Sequence, residues 1–554
     1  MVYPGKIAGK SVRTAVRPTV NERCEQFPVL DTWWIMNVKH SSFRAPLPTL
    51  AMGVSAYLAD WHRAFAALDP AASIFFELWF DRGQHLPVVE TIRIPRNSST
   101  RDRHVIALYL SVLINNILCV YGARRVSIIS KEAELPLDIL AAMERNLFQR
   151  LDSFSNMSLL FLHALVERVF HAGFVMDTDR MHAAVLREAL DEQARAPHGG
   201  GAESERLGTS LAVNIGQRLT SWGVVTLDGR GQHGVERFTR LESGSGGPEQ
   251  AFGVGFETLM AEIRQTLGEQ TQDIKVIGIS IAATVVSGDV QPVGEFGLFA
   301  GASREELEGV NEHIRRVCRS CFPGRPVVIV NDGEAQALFA FHFAGGRGKI
   351  IGADSACPVG TGKHLLSLRL GACPCVHFLD AQGKSPVGVY EYSWLITNLN
   401  TTRSTKYLCS TIRFHLSFYG VAAIAHELGL LEKYLVDPLE AIFFFPEKLV
   451  SDDPTQRKDA KRIYHILGAH VAMLVCEIHR RHPLGAVMLL GSLANRIDRT
   501  VFPVMRDGFT AFIDEHARDL GSTELVLVDD ASSQASLVGA AYAALRPESI
   551  HTAD

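Results

Sequence analysis

The chain has 554 residues, 47% of them hydrophobic and 21% charged, ordinary values for a globular protein long enough for two or three domain cores. A formal net charge of −5 excludes a global basic field that would draw the chain to nucleic acid or to an anionic lipid surface. No apolar run approaches the roughly 18 residues of a membrane-spanning helix, so a membrane partner is not expected. The opening segment MVYPGKIAGKSVRTAVRP has no apolar core behind its basic residues, unlike a secretory signal. The nine cysteines are irregularly spaced, which fits the reduced thiols of a cytoplasmic protein better than a disulfide framework.

In chain order, residues 72–95 predict a hairpin around Asp81-Arg82-Gly83, and 103–130 a long apolar helix followed by a short strand. Asn115 and Asn116 fall inside that apolar helix, where buried hydrogen bonds are expected to satisfy them. Residues 161–175 have helical spacing, and His163 and His171 read as packing residues rather than ligands. The stretch Ala196–Arg206, rich in glycine and charge, predicts a linker that separates an N-terminal region of residues 1–195 from a longer region, 205–548. There, 211–216 and 221–229 predict a hairpin, 256–267 a helix, 276–285 a buried strand and 304–319 an amphipathic helix. The strand 326–332 then leads into an apolar helix, and strands at 349–356 and 364–371 flank a glycine-rich turn. A long helix at 456–481, strands at 486–492 and 524–530, and a closing helix at 533–545 complete the region. Strands alternating with helices predict a mostly parallel α/β arrangement. The helix–strand–helix layout of 103–151 is echoed by 462–515, and two readings stand. The N-terminal region is a remnant half of the same fold, or it simply shares an order common to α/β proteins.

Four loops have the chemistry of a site. Asn331-Asp332 ends a buried strand just before a helix, where an open α/β sheet binds ligands; an aspartate there serves as a general base or as a helix cap. Gly360-Thr361-Gly362, followed by Lys363, offers backbone amides to an anion, although many hairpins use such a turn. Asn214 and Gly216 lie where the 211–229 hairpin turns, and Gly491-Ser492 ends another buried strand.

Taken in order, the glycine hairpin, the Asn-Asp strand end, the Gly-Thr-Gly turn, the long helix and the Gly-Ser strand end resemble the sugar kinases of the ROK family, within the hexokinase–actin superfamily. The resemblance spans about 205–548, including 277–301 as a substrate-loop region and the closing SLVGAAYAAL. It implies a two-lobed, actin-like or ribonuclease H-like α/β domain that closes on a sugar and ATP with Mg²⁺. It implies Asp332 as the base, Asn331 and Glu391 as sugar ligands, and Gly360, Thr361 and Gly362 as the phosphate cradle. It further implies Asn214, Gly216, Gln217 and Arg218 as the first phosphate loop, with Gly491 and Ser492 at the adenosine.

The family's first loop reads Asp-x-Gly-Gly-Thr, whereas here it reads Asn214-Ile-Gly216-Gln217-Arg218. The lost carboxylate would help hold Mg²⁺, and Arg218 offers a phosphate clamp in its place. The family's cysteine-rich zinc run is missing. Cys318 with Cys321, and Cys373 with Cys375 and His377, have ligand-like spacing, but thiols on an amphipathic helix are ordinary core residues. No basic recognition helix is present, so nucleic acid is not an expected partner, and a homodimer is the default assembly. Two functions therefore stand: an ATP-dependent sugar kinase, and a weak or inactive sugar- or nucleotide-binding pseudokinase with a regulatory or scaffold role.

Overall fold

The computed structural model describes residues 58–143, 173–174, 208–290, 309–385, 395–397 and 412–546, with short breaks inside these ranges. The predicted linker 196–206 and residues 161–172 and 175 of the predicted 161–175 helix lie outside them, while Gly173 and Phe174 form a strand rather than helix.

The described part of the N-terminal region opens with α1 (Leu58–Ala66) and the predicted hairpin, β1 (Ser73–Asp81) against β2 (Val88–Pro95), antiparallel with Phe80 opposite Val88. The apolar helix α2 (Thr100–Tyr121) leads to β3 (Arg125–Ile129), which pairs antiparallel with β1, and β4 (Gly173–Phe174) adds at the edge. Residues 105–117 of α2 are buried on every side, because the helix lies between its own sheet and the rest of the chain. Asn115 donates to Asn116 and Asn116 to Glu477, so both buried amides are satisfied as expected.

The first large sheet comprises β5 (Gly208–Ile215), β6 (Leu219–Leu227), β7 (His233–Glu242), β8 (Val276–Ile281) and, after a short β9–β10 hairpin (Val285–Val286, Asp289–Val290), β11 (Val327–Asn331). Its order is β11-β8-β5-β6-β7, with β6 and β7 antiparallel and β8 and β11 parallel to β5. Helices α3 (Val254–Leu267) and α4 (Val310–Cys321) cover one face, where Leu211, Val213, Ile277 and Ile279 point. The alternate residues Ala212, Val276 and Val330 face the other way, as the period-2 geometry of a strand requires. Helix α5 (Asp332–Phe339) leaves β11 directly.

The second sheet repeats the plan. After the edge strand β12 (Ile350–Ile351) come the hairpin β13 (His364–Arg369) and β14 (Cys375–Leu379). Helices α6 (Phe418–Glu427), α7 (Ala441–Leu449) and the long α8 (Pro454–His479) precede β15 (Leu484–Leu490). Helix α9 (Val501–His516), β16 (Glu524–Val528) and α10 (Ala535–Leu545) follow. The order is β12-β16-β15-β13-β14, with β15 and β16 parallel to β13. Each large sheet is thus an antiparallel start flanked by two parallel strands on the opposite side. This doubled α/β plan matches the two-lobed architecture expected for the C-terminal region. The N-terminal sheet shares the helix-then-strand order, but its β3 runs antiparallel to β1 whereas β15 runs parallel to β13.

The strand assignment corrects one expectation. The Gly360–Gly362 turn does not join two hairpin partners, because β12 pairs with β16 while β13 pairs with β14 and β15. The hairpin turn is instead 370–374, since the apolar run HLLSLRLG reverses into CVHFL after Gly371.

Helices α5 and α10 form the layer shared by the two sheets. Glycine makes their packing possible: a Cβ on Gly539 would overlap the carbonyl of Ala335, and one on Gly278 the carbonyl of Ala540. On the far face of the second sheet, Leu366, Leu368, Val487 and Leu489 pack toward α8, α9 and the N-terminal region. No helix among the described residues is long and apolar enough to cross a membrane.

Candidate functional site

In each large sheet the strand order reverses between two parallel neighbours, β5 and β8 in the first, β13 and β15 in the second. Ligands of open α/β sheets bind at the carboxyl ends of such strands. At the first reversal the Asn214 Oδ1 accepts a hydrogen bond from the Ser280 hydroxyl at 3.0 Å, and buried Gly216 follows β5. Ile215, Ile281 and Asn331 are aligned across β5, β8 and β11. Gly216 and Asp332 therefore lie two strand spacings, or about 10 Å, apart along one rim. At the second reversal Leu370 N donates to Leu490 O at 2.8 Å, joining the start of the 370–374 turn to the end of β15.

Asn331 is the cap of α5. Its Oδ1 accepts from the amides of Gly333 (2.8 Å) and Glu334 (3.3 Å), and its Nδ2 donates to Ala283 O at 2.8 Å. Asn331 thereby ties the ends of β8 and β11 together. Asp332 is only 5% exposed, and its Oδ2 pairs with Nη1 of Arg369, the last residue of β13. That pair joins the two sheets at the carboxyl ends of β11 and β13, and the junction between these strand ends is the candidate crevice.

The residues behind Asp332 are closely built. A Cβ on Gly333 would overlap Cys375 Sγ, which itself lies 3.6 Å from Asn331 Oδ1. Glu334 Oε1 accepts from Ser385 Oγ at 2.7 Å, and Ser385 Oγ lies 3.0 Å from His377 Nε2. Burial lowers the pKa of His377 against the opposing charge of Glu334, so this ring is a neutral partner that orients Ser385. Cys375 and His377 thus serve the start of α5. Cys318 is a core thiol, pushed up to about 12 by burial. Among the described residues no cluster of three or more His, Cys, Asp or Glu side chains has the geometry of a metal site.

Gln217, Arg218, Gly360, Thr361, Gly362, Cys373, Glu391, Gly491 and Ser492 lie outside the described residues. Asn214, Gly216, Asn331 and Asp332 share one rim of the first sheet, and the sequence reading missed two of their partners: Arg369, which pairs with Asp332, and the Ser280 hydroxyl, which bonds Asn214. Arg369 did leave a signal, as the one charge inside the apolar run LLSLRLG.

Mg²⁺ favours carboxylate oxygen. The rim offers Asp332, already paired with Arg369, and the amide of Asn214, already bonded by Ser280. Among the described residues, this donor set does not fit a protein-held Mg²⁺.

No family model matches the chain, and no curated protein matches it. Solved structures do. A ROK hexokinase from Thermus thermophilus aligns at 16% identity over 61% of this chain and 97% of its own, with a TM-score of 0.41. A ROK family glucokinase from Streptomyces griseus, solved with glucose and AMPPNP, aligns at 16% identity over 61% and 99%, with a TM-score of 0.39. A Leishmania braziliensis glucokinase aligns at 12% identity over 64% and 95%, with a TM-score of 0.43. The fold assignment rests on the strand order and layering above, and by that measure the chain is a mixed α/β protein with a doubled sheet plan.

Proposed function

We propose that the chain phosphorylates a hydroxyl of a sugar or amino sugar with ATP, Asp332 acting as the general base. The observation that supports this most is the burial of Asp332 at the carboxyl end of β11, facing the end of β13 across the crevice. In this reading the sugar oxygen attacks the terminal phosphorus, the bond to the ADP oxygen breaks, and the hydroxyl proton passes to Asp332. Because Oδ2 is held by Arg369, Oδ1 is the oxygen that accepts the proton. Arg369 supplies positive charge near the reacting groups, in a site where Asn214 stands in place of a carboxylate. The turns after β5 and β13 hold the phosphates through backbone amides, and closing of the two sheets excludes water.

A coupled ADP-release assay across hexoses and N-acetyl hexosamines tests the proposal. Turnover with at least one sugar is expected, abolished in Asp332→Asn while sugar binding persists. Undiminished turnover in that variant removes Asp332 from the mechanism.

Two observations favour a second reading, a pseudokinase that binds sugar or nucleotide without turning over. The base is occupied by Arg369, and Asn214 replaces the metal-holding carboxylate. Calorimetric binding of sugar or ATP with no ADP release from any sugar would select it.

A further inference from the structure

On the face of the second sheet away from the crevice, α8 and α9 cross at a close contact. A Cβ on Gly468 would overlap the Met505 carbonyl, and one on Gly508 the His465 carbonyl. Beside this crossing lies a surface groove of about 640 Å³, within the size range of small-ligand sites. Arg457, Lys458, Lys461, Arg462 and His465 line it, with Asp507 as its one carboxylate. Counting His465 as neutral, four cations less one anion leave three positive charges, in a chain whose formal net charge is −5.

Local rules of helix stability run against this arrangement. Arg457 and Lys461, and likewise Lys458 and Arg462, are like charges four residues apart, which repel on a helix surface. All four stand in the N-terminal half of α8, toward the positive end of its dipole. Asp459, the acid among them, is turned into the protein. Burial opposes its charge, but Lys433 (2.5 Å) and Tyr434 (2.8 Å) bond it and hold its pKa below the usual carboxylate value. Arg462 reaches Asp459 only through its charge. Arg457 is steadied by the Ser451 carbonyl. Lys458, Lys461 and Arg462 make no hydrogen bond or ion pair among the described residues. Unneutralised repulsion kept in one concave place marks a site built for an anion.

We propose that this groove binds a compact small molecule bearing two or more phosphate groups. The lining cations span residues 457–465, about 12 Å of helix, too short a track for a nucleic-acid strand. Arginine forks and lysine points together suit adjacent phosphates. The groove is separated from the crevice by the second sheet, so it stands whether or not the chain is a kinase.

Titration calorimetry of the full chain with inorganic tripolyphosphate tests this. One saturable site is expected, weakening steeply with added salt. The double variant Lys461→Gln/Arg462→Gln should weaken it at least tenfold, while melting at the same or a higher temperature without ligand. Arg369→Gln, in the crevice, should leave the affinity unchanged. Orthophosphate and citrate should bind at least tenfold more weakly than tripolyphosphate. No saturable binding, equal affinity in the double variant, or loss of binding in Arg369→Gln would overturn the proposal. Citrate binding as tightly as tripolyphosphate, or a short DNA duplex binding more tightly, would do the same.

Discussion

Asp332 and Arg369 come from different sheets and meet through one carboxylate oxygen and one guanidinium nitrogen. Asp332 begins the helix that leaves β11, the edge strand of the first sheet, and Arg369 ends β13, at the reversal point of the second, so their contact ties one sheet to the other.

Replacing Arg369 with glutamine tests that bridge directly. Asp332 would lose its charge partner while remaining nearly buried, which costs about 2 kcal/mol given the partial exposure of Arg369. If Arg369 also balances charge in the reaction, turnover falls on the order of a hundredfold with little change in sugar affinity. Denaturant midpoints and the ADP-release assay read the two effects separately. A rise in turnover would show that the pair only obstructs the base.

Restoring the missing carboxylate is the complementary change. Ser280 Oγ can donate to an aspartate as it does to Asn214, so Asn214→Asp should fold normally. It should raise activity and steepen its dependence on Mg²⁺. No gain, together with no ATP binding by calorimetry, would support the pseudokinase.

Gly539→Ala should be severely destabilising. The added methyl would meet the Ala335 backbone, which cannot move without shifting α5 and the site at its N-terminus. A loss of about 3 kcal/mol is expected in urea unfolding, within the range for overpacking a tight core. Gly268, whose added Cβ would meet no atom within 4 Å, has a positive φ of 53°, so Gly268→Ala should cost only about 1 kcal/mol of local strain.

The contact between the N-terminal region and α8 should make stability fall in acid. His62 is buried between Tyr109 OH on Nδ1 (2.7 Å) and Glu477 on Nε2 (3.0 Å). Burial, against the pull of Glu477, lowers its pKa from 6.5 to about 4. At neutral pH the ring is therefore uncharged, donating from Nε2 to Glu477 and accepting from Tyr109. Burial would raise the pKa of Glu477, but His62, Arg481 and Arg480 outweigh it and hold the carboxyl below its usual range. Both groups take up protons more readily when unfolded. Their stabilisation is thus intact above about pH 6.5 and lost as the pH falls, His62 first and Glu477 at lower pH. Between about pH 7.5 and pH 5 the His62 share is about 2 kcal/mol. His62→Gln should flatten that slope; an unchanged slope would place the acid sensitivity elsewhere.

Much of the architecture was legible because the strands are nearly pure apolar runs with helices between them. Residues 276–281, 327–331, 484–490 and 524–528 formed where their β-branched and leucine content placed them. Sheet order was not legible, since pairing is decided by long-range packing rather than by propensity. That is why the Gly360–Gly362 turn was assigned to a hairpin that the chain builds at 370–374. The rim residues Asn331 and Asp332 were legible, but their division of labour was not. Either residue could cap the helix by its type, and only the hydrogen bonds of Asn331 to the Gly333 and Glu334 amides show which one does, leaving Asp332 to pair with Arg369.

The layer of α5 and α10 has a mechanical consequence. Because one pair of helices serves as the floor for both sheets, a rotation of one half against the other is registered at the mouth, between a carboxylate on one side and a guanidinium on the other. How firmly the two halves are held against each other there therefore depends on that one arginine.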